Sequence, residues 1–163
     1  MKTLLLMRHG KSSWSDEALA DHDRPLKTRG QEAADRIGHL LSESNLVPDH
    51  ILTSSAVRAF ETTQRVIQAA NWKEDAEVVP GLYHADPKSL VAIVSRVPNG
   101  VDRLLVIGHN PGLENWLTCL IGRIETFPTA ALAQIELDIE SWLDLTPETR
   151  GILQKLWRPK ELS

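Results

Sequence analysis

Short apolar runs of strand length, separated by stretches with helical character, are the feature that most limits how this chain can fold. Two of these runs, Thr3–Met7 and Arg103–Ile107, show no alternation of apolar and polar residues along most of their length. Strands of that kind are covered on both faces, as in the interior of a parallel sheet. Parallel neighbours need crossover connections, which the helix-like stretches supply. The sequence therefore predicts an α/β fold, a three-layer sandwich with a mostly parallel central sheet flanked by helices.

The same pattern gives approximate bounds for each element. We expect strands at Thr3–Met7, His50–Thr53, Val78-Val79, Arg103–Ile107, Ala131–Leu137 and Ile152–Trp157. We expect helices from Thr28 to about Ser44, from Ser54-Ser55 to just before Trp72, from Asp86-Pro87 to Ser95, and after Gly112 to about Ile121.

Three of the helix starts carry residues that typically cap a helix. Thr28 and Gln31 have the spacing of a capping box. Ser54-Ser55 precedes the second helix, and Asp86-Pro87 is a favourable pair of N-cap and first helical residue. On the second helix, the spacing predicts an inner face made of Val57, Phe60, Val66 and Ile67.

Length and composition exclude several classes of protein. A chain of 163 residues is long enough for one domain with a substantial core, and we expect a single domain over 1–163. The formal charge of -4 argues against a surface that attracts nucleic acid or anionic membranes. The only cysteine, Cys119, excludes an intramolecular disulfide. Because Arg8 interrupts the apolar start and no apolar stretch approaches 20 residues, we expect a cytoplasmic protein without a membrane span. We also expect a monomer.

Four residues with chemical potential fall where parallel strands end. His9 and Arg8 close the first strand, and His109 follows the strand Arg103–Ile107. Arg58 lies in the first turn of the helix after another strand. Ligands of such sheets bind at the carboxyl ends of the strands. Two imidazoles and two guanidiniums there predict a pocket for a tetrahedral oxyanion.

The sequence around these residues resembles a known family. The resemblance is carried by Arg8-His9-Gly10, by Arg58 within Ser54–Ala59, by Gly108-His109-Asn110-Pro111, by Leu6–Trp14, by Asp23-Arg24-Pro25-Leu26 with Arg29-Gly30, and by the later segments Phe127–Ala130 and Arg158–Lys160. These motifs, in this order, are similar to those of the histidine phosphatase superfamily, also called the phosphoglycerate mutase-like superfamily. The longer phrases and the short chain resemble its SixA-type phosphohistidine phosphatase branch.

The resemblance implies a phosphoglycerate mutase-like fold and a role for each matching residue. His9 would be the nucleophile that carries the phosphoryl group as phosphohistidine. Arg8, Arg58 and His109 would bind the phosphoryl oxygens and stabilise the transition state. Asn110 and Arg24 would join them in binding phosphate or substrate. The resemblance implies no metal ion and no other cofactor.

The proton donor does not follow from the motifs. Wider members of the family use a carboxylate in the middle of the chain or directly after the second histidine, where Asn110 stands here. Asp16, Asp23 and His84 remain as candidate donors. A phosphoramidate bond needs less proton assistance than an alkyl phosphate, which favours a phosphohistidine substrate.

Two arginines have a second interpretation. Arg24 lies at the pocket rim, or it is a surface residue paired with Asp21 or Asp23. Arg58 binds phosphate, or it faces Glu61 or Thr62 on the helix surface.

The sequence thus predicts a metal-independent phosphatase that acts through a phosphohistidine intermediate on His9. A phosphohistidine on a partner protein is the expected substrate. The alternatives are a phosphatase of a small phosphorylated metabolite and a non-catalytic module that binds phosphate or a phosphoprotein.

Overall fold

The structure is a computed structural model that describes residues 1–161. Within that range, six strands form one mixed sheet in the order β3-β2-β4-β1-β5-β6. The strands are β1 (Lys2–Arg8), β2 (His50–Thr53), β3 (Glu77–Val78), β4 (Arg103–Gly108), β5 (Leu132–Leu137) and β6 (Gly151–Trp157). The four strands from β3 to β1 run parallel, and β5 and β6 join antiparallel. The expected α/β fold with a mostly parallel sheet is confirmed.

Four α-helices connect and cover the strands in the part of the chain that the structure describes. They are α1 (Thr28–Glu43), α2 (Val57–Ala70), α3 (Pro87–Val94) and α4 (Gly112–Ile121). Single turns of 3-10 helix at 21–23, 80–82, 142–144 and 159–161 have no counterpart in the sequence-based prediction. In 1–161 we find no helix that is both long and apolar enough to cross a membrane.

The sheet separates two apolar cores, and β1 contributes to both. Leu4 and Leu6 pack into the core beneath α3 and α4, whereas Leu5 and Met7 pack into the core beneath α1 and α2. All four side chains are fully buried. Burying each contributes roughly 1.5–3 kcal/mol, which explains why the strand has no polar face. Helices, sheet and helices thus form the three expected layers.

Two of the expected helix caps are wrong, and the third is correct. Lys27 and Ala56 precede α1 and α2, and neither provides a side-chain cap. The Ser54 hydroxyl is engaged instead in a tertiary contact with His109. Before α3, the Asp86 side chain accepts a hydrogen bond from the Ser89 amide, as predicted.

Phe60 does not belong to the inner face of α2, since its side chain is 40% exposed. The buried face is centred on Ala59 and Val66, seven residues apart. Phe60 follows Ala59 by one position, so it is rotated by about 100° away from that face.

We predict that Gly38→Ala destabilises the protein by roughly 1–2 kcal/mol, although alanine favours a helix more than glycine does. A Cβ at Gly38 of α1 would lie 2.6 Å from Ala69 Cβ and 2.7 Å from the Val66 carbonyl oxygen of α2. Urea unfolding measures the change. Gly100→Ala is the matched control, because no heavy atom lies within 4 Å of its Cβ position. A Gly38→Ala variant as stable as wild type would contradict this close helix contact.

Candidate active site

The pairing of β1 with β4 brings two histidines together. The strands are parallel and in register, with Arg8 opposite Gly108. The following residues, His9 and His109, therefore leave the sheet at the same edge, and their ring centroids are 5.0 Å apart. Both histidines are buried, with only 6% of His9 and 9% of His109 exposed to solvent.

The tautomer of His9 is set by its neighbour. Its Nδ1 lies 2.6 Å from the Gly10 carbonyl oxygen. A carbonyl oxygen only accepts, so Nδ1 carries the proton and Nε2 keeps its lone pair. In agreement with this, Arg58 Nε donates to His9 Nε2 at 3.4 Å. Burial lowers the pKa of His9 to about 4, assisted by the Arg58 and Arg8 cations, so the ring is neutral at physiological pH.

The loop that carries His9 is held tightly from two sides. A Cβ on Gly10 would lie 2.7 Å from the Gly30 carbonyl oxygen, so only glycine permits α1 to approach this closely. On the other side, Thr62 Oγ1 accepts from the Gly10 amide at 2.9 Å and donates to the Arg58 carbonyl at 2.7 Å. One hydroxyl therefore joins the His9 loop to the first turns of α2.

Arg58 faces the site and not the helix surface. Its Nη1 donates to the Asp21 carbonyl at 2.7 Å, and its Nη2 donates to Asp21 Oδ2 at 3.0 Å. The Tyr83 hydroxyl donates a short hydrogen bond to the same carboxylate oxygen. The Tyr83 and Arg58 donors hold the pKa of Asp21 below its ordinary value, so this carboxyl is ionised. The alternative contact with Glu61 is absent, because Glu61 accepts from the Leu26 amide.

Asp21 and Tyr83 are site residues that sequence reasoning missed. They lie 62 positions apart. Asp21 begins one single turn of 3-10 helix and Tyr83 directly follows another, and no periodic pattern marks these turns. Burial and the Asp21 carboxylate raise the pKa of Tyr83, which remains a phenol that donates. The Tyr83 ring also meets His109 edge to face at 5.4 Å between centroids. Asp21 and Tyr83 thus link Arg58 to His109 through a continuous chain of contacts.

His109 is oriented by Ser54. Its Nε2 lies 2.8 Å from Ser54 Oγ, while its buried Nδ1 has no protein partner. Ser54 Oγ accepts from the Ala56 amide at 3.2 Å, which leaves the hydroxyl proton available to His109. Burial lowers the pKa of His109 to about 3. The Arg58 guanidinium acts in the same direction, as would a proton on His9. This second imidazole is also neutral.

Arg8 and Asn110 meet at the Phe127 carbonyl. Arg8 Nη1 donates to that oxygen at 3.4 Å, and Asn110 Nδ2 donates to it at 2.8 Å. Asn110 Oδ1 accepts from the Glu114 amide, so both ends of this amide are bonded to protein. Burial lowers the pKa of Arg8, and its Nε is buried without a protein partner.

Arg24 stacks on an aromatic ring near the site. Its guanidinium carbon lies 3.8 Å from the Trp14 ring centroid, a cation–π geometry. Nε and Nη1 of Arg24 are buried without protein partners. Between Arg24 and either Asp21 or Asp23 there is no ion pair within 4.0 Å. Its place is therefore against Trp14 and not in the surface pair that the second interpretation required.

The three candidate proton donors occupy different surroundings. Asp16 is exposed and accepts from the Ala18 amide, and Asp23 is exposed beside the His22 ring. His84 lines a cavity of about 150 Å³ together with His109. Its ring lies 4.0 Å from that of Tyr83, centroid to centroid. Among the three, His84 shares a cavity with a residue of the site.

The arrangement combines a nucleophilic lone pair with fixed positive charge. His9 Nε2 is unprotonated, and the Arg58 and Arg8 guanidiniums are close enough to act on its charge. Such a set binds an anion and attacks an electrophilic centre within it. In the described residues, no group of three His, Cys, Asp or Glu side chains is placed to hold a metal ion.

A family model, sequence relatives and a solved structure all assign this chain to the same family. Residues 4–86 match the model of the histidine phosphatase superfamily, branch 1. Phosphohistidine phosphatase SixA of Escherichia coli is 32% identical over 140 residues, which are 83% of this chain and 85% of that protein. A Mycobacterium tuberculosis protein is 34% identical over 152 residues, covering 86% and 92% of the two chains.

A solved structure supports the same assignment. The structure of a protein histidine phosphatase SixA complexed with tungstate superposes with a TM-score of 0.84 at 28% identity, covering 99% of each chain. Fold, motif order and overall sequence likeness therefore agree. The chain belongs to the histidine phosphatase superfamily and, within it, to the SixA-like branch.

Proposed function

We propose that this protein is a phosphatase that hydrolyses phosphohistidine on a partner protein through a phosphohistidine intermediate on His9. The observation that carries the proposal is the fixed tautomer of a buried, neutral His9, whose Nε2 lone pair lies beside the Arg58 guanidinium. Membership of the superfamily supports phosphatase activity in general. The SixA relative is named a phosphohistidine phosphatase, which supports the narrower substrate class.

The first step transfers the phosphoryl group to the enzyme. His9 Nε2 attacks phosphorus in line with the P–N bond of the substrate, and that bond breaks as the new P–N bond forms. The leaving imidazole nitrogen takes the bond's electron pair and receives a proton from solvent, and the water that attacks in the second step returns a proton to solvent. Arg8 and Arg58 offset the charge on the equatorial oxygens.

His109 supplies a further donor to those oxygens. If the Ser54 hydroxyl donates to His109 Nε2, then Nδ1 carries the ring proton, and this is the atom without a protein partner. A phosphoryl oxygen would satisfy it. Neutral His109 thus stabilises the transferring group by hydrogen bonding and not as a cation.

Hydrolysis of the intermediate completes the cycle. Water attacks the phosphorus on His9, the P–N bond breaks, and inorganic phosphate leaves. His9 regains its lone pair at Nε2, and its ring proton stays on Nδ1 throughout, donated to the Gly10 carbonyl oxygen. No step of this scheme uses a metal ion.

We assign the proton donor for poor leaving groups to His84. It lines the same small cavity as His109, whereas Asp16 and Asp23 have their contacts elsewhere. A phosphohistidine substrate requires little assistance of this kind.

Replacing the nucleophile tests the reaction. We expect His9→Ala to lower kcat by at least about 10³-fold on a phosphohistidine protein and on p-nitrophenyl phosphate. Rapid quenching in alkali should trap a phosphorylated wild-type enzyme whose label is lost in acid, as a phosphoramidate is. The exposed His39→Gln variant on α1 is the matched control.

Three results would contradict the proposal. Wild type and His9→Ala equally inactive on both substrates would indicate a binding module. Release of phosphate from small phosphorylated metabolites alone would indicate a metabolite phosphatase. Loss of activity in EDTA would overturn the metal-independent scheme.

Leaving-group dependence tests His84. We expect His84→Gln to lower kcat/KM about 100-fold for phenyl phosphate, whose leaving group needs a proton, and less than about threefold for p-nitrophenyl phosphate. The Asp16→Asn variant should behave as wild type with both. An equal loss on the two substrates would assign His84 a positioning role instead.

The pH dependence of stability tests the neutral histidines. As pH falls below the ordinary histidine pKa of 6.5, the unfolded chain takes up protons that folded His9 and His109 resist until about pH 4 and 3. The free energy of unfolding should therefore decrease by roughly 1.4 kcal/mol per pH unit for each of them across that window. Denaturant unfolding from pH 7 to 4.5 should show a shallower decline for His109→Gln than for wild type, and an unchanged one for His39→Gln. Identical slopes for all three proteins would show that these rings are not held neutral.

A further inference from the structure

A second cavity, much larger than the one beside His109, lies on the α1 side of the site. Its volume is about 670 Å³, and it is bounded by the loop after β1, the first half of α1, residues 126–129 and residues 158–161. No step of the proposed reaction uses it.

This cavity is cationic in a chain that is acidic overall. We call it the cationic cleft and define it by its five basic residues, Lys11, Arg29, Arg36, Arg158 and Lys160. Two carboxylates, Glu32 and Glu161, also line it. Arg158 is partly neutralised by ion pairs with Glu125 and Glu161. Arg36 has an interaction of its own within the protein. Lys11, Arg29 and Lys160 still outnumber Glu32, so the cleft keeps an excess of positive charge, although the formal charge of the whole chain is -4.

The charges are spread along the cleft. Lys11 lies in the loop after β1, Arg29 lies in the first turn of α1, and Lys160 lies in the turn 159–161. Glu32 also lines the cleft on α1. A ligand with several negative charges can pair with cations on all three segments at once, which a single carboxylate cannot.

The start of α1 supports a ligand-binding role for these charges. Its first turn has no acidic residue, and Lys27 and Arg29 place cations there instead. Positive charge at a helix N-terminus is unfavourable to the helix dipole. Helix stability therefore does not account for Arg29, which lines the cleft, and an anion bound there would offset its charge.

The cleft shares two walls with the catalytic site. Lys11 follows His9 by two positions. The segment 126–129 includes Phe127, whose carbonyl oxygen accepts from both Arg8 and Asn110. A substrate chain with its phosphoryl group at His9 would therefore have its neighbouring residues within reach of the cleft.

We propose that the cationic cleft binds an acidic polypeptide segment of the phosphorylated partner, close to its phosphohistidine; this inference rests on the proposed function. The glutamate or aspartate side chains of the segment pair with the cations. Its main chain and aliphatic groups contact the small and apolar lining, which includes Gly30, Ala33, Pro128 and Pro159.

Two matched peptides test the proposal. Each carries one phosphohistidine, flanked on both sides by glutamates in one peptide and by glutamines in the other. We expect wild type to prefer the acidic peptide in kcat/KM by about tenfold, and the double variant Arg29→Gln/Lys160→Gln to lose that preference, since two exposed ion pairs disappear. Activity on p-nitrophenyl phosphate should stay unchanged, which also shows that the variant is folded.

Lys73→Gln is the matched control. Lys73 is an exposed lysine just beyond the end of α2, at the opposite edge of the sheet from the site. It should retain the preference for the acidic peptide. Equal processing of both peptides by wild type, or the same loss in Lys73→Gln as in the double variant, would overturn the proposal.

A binding measurement separates this inference from the reaction. Fluorescence anisotropy with the acidic peptide lacking its phosphoryl group should show binding to wild type and at least tenfold weaker binding to the double variant. If wild type releases phosphate from neither peptide, the proposed function fails, and this measurement still decides on the cleft. Tighter binding of an oligonucleotide of equal charge than of the acidic peptide would contradict a polypeptide ligand.

Discussion

The in-register parallel pairing of β1 with β4 is the interaction on which the site depends. Because Arg8 lies opposite Gly108, the two strands end level, and the residues that follow them are His9 and His109. A shift of one residue would turn every side chain of one strand to the other core. The fully buried leucines of β1, which alternate between the two cores, therefore hold the two histidines in register.

Burial has opposite consequences for the charges of the site. It keeps the imidazoles of His9 and His109 neutral, since a desolvated imidazolium beside arginines is unfavourable. The buried Arg58 guanidinium donates to the main-chain carbonyl of Asp21 and to its carboxylate, whose negative charge offsets that of the arginine. The site thus combines guanidinium groups with two neutral imidazoles, of which His9 has its Nε2 lone pair available.

Sequence reasoning succeeded where local patterns decide the outcome. Unbroken apolar runs and the residues directly after them located the strands, Arg8, His9 and His109. It failed where a contact joins distant positions: Ser54 was expected to cap a helix and instead bonds His109, 55 residues away. Asp21 was missed as the partner of Arg58, 37 residues away, because neither position has a periodic signal. Phe60 was assigned to the core because its spacing is close to that of the buried residues of α2. The sequence does not reveal how the helix is rotated about its axis, and in the structure Phe60 is exposed.

The double hydrogen bond of Thr62 has a mechanical consequence. Its hydroxyl accepts from the Gly10 amide and donates to the Arg58 carbonyl, so the loop next to His9 and the backbone of Arg58 share one anchor. Thermal displacements of the two therefore tend to be correlated, and the distance between His9 and Arg58 varies less than either position alone. Serine preserves both bonds at this position, whereas valine, of nearly the same shape, removes both and lets the loop and the helix move independently.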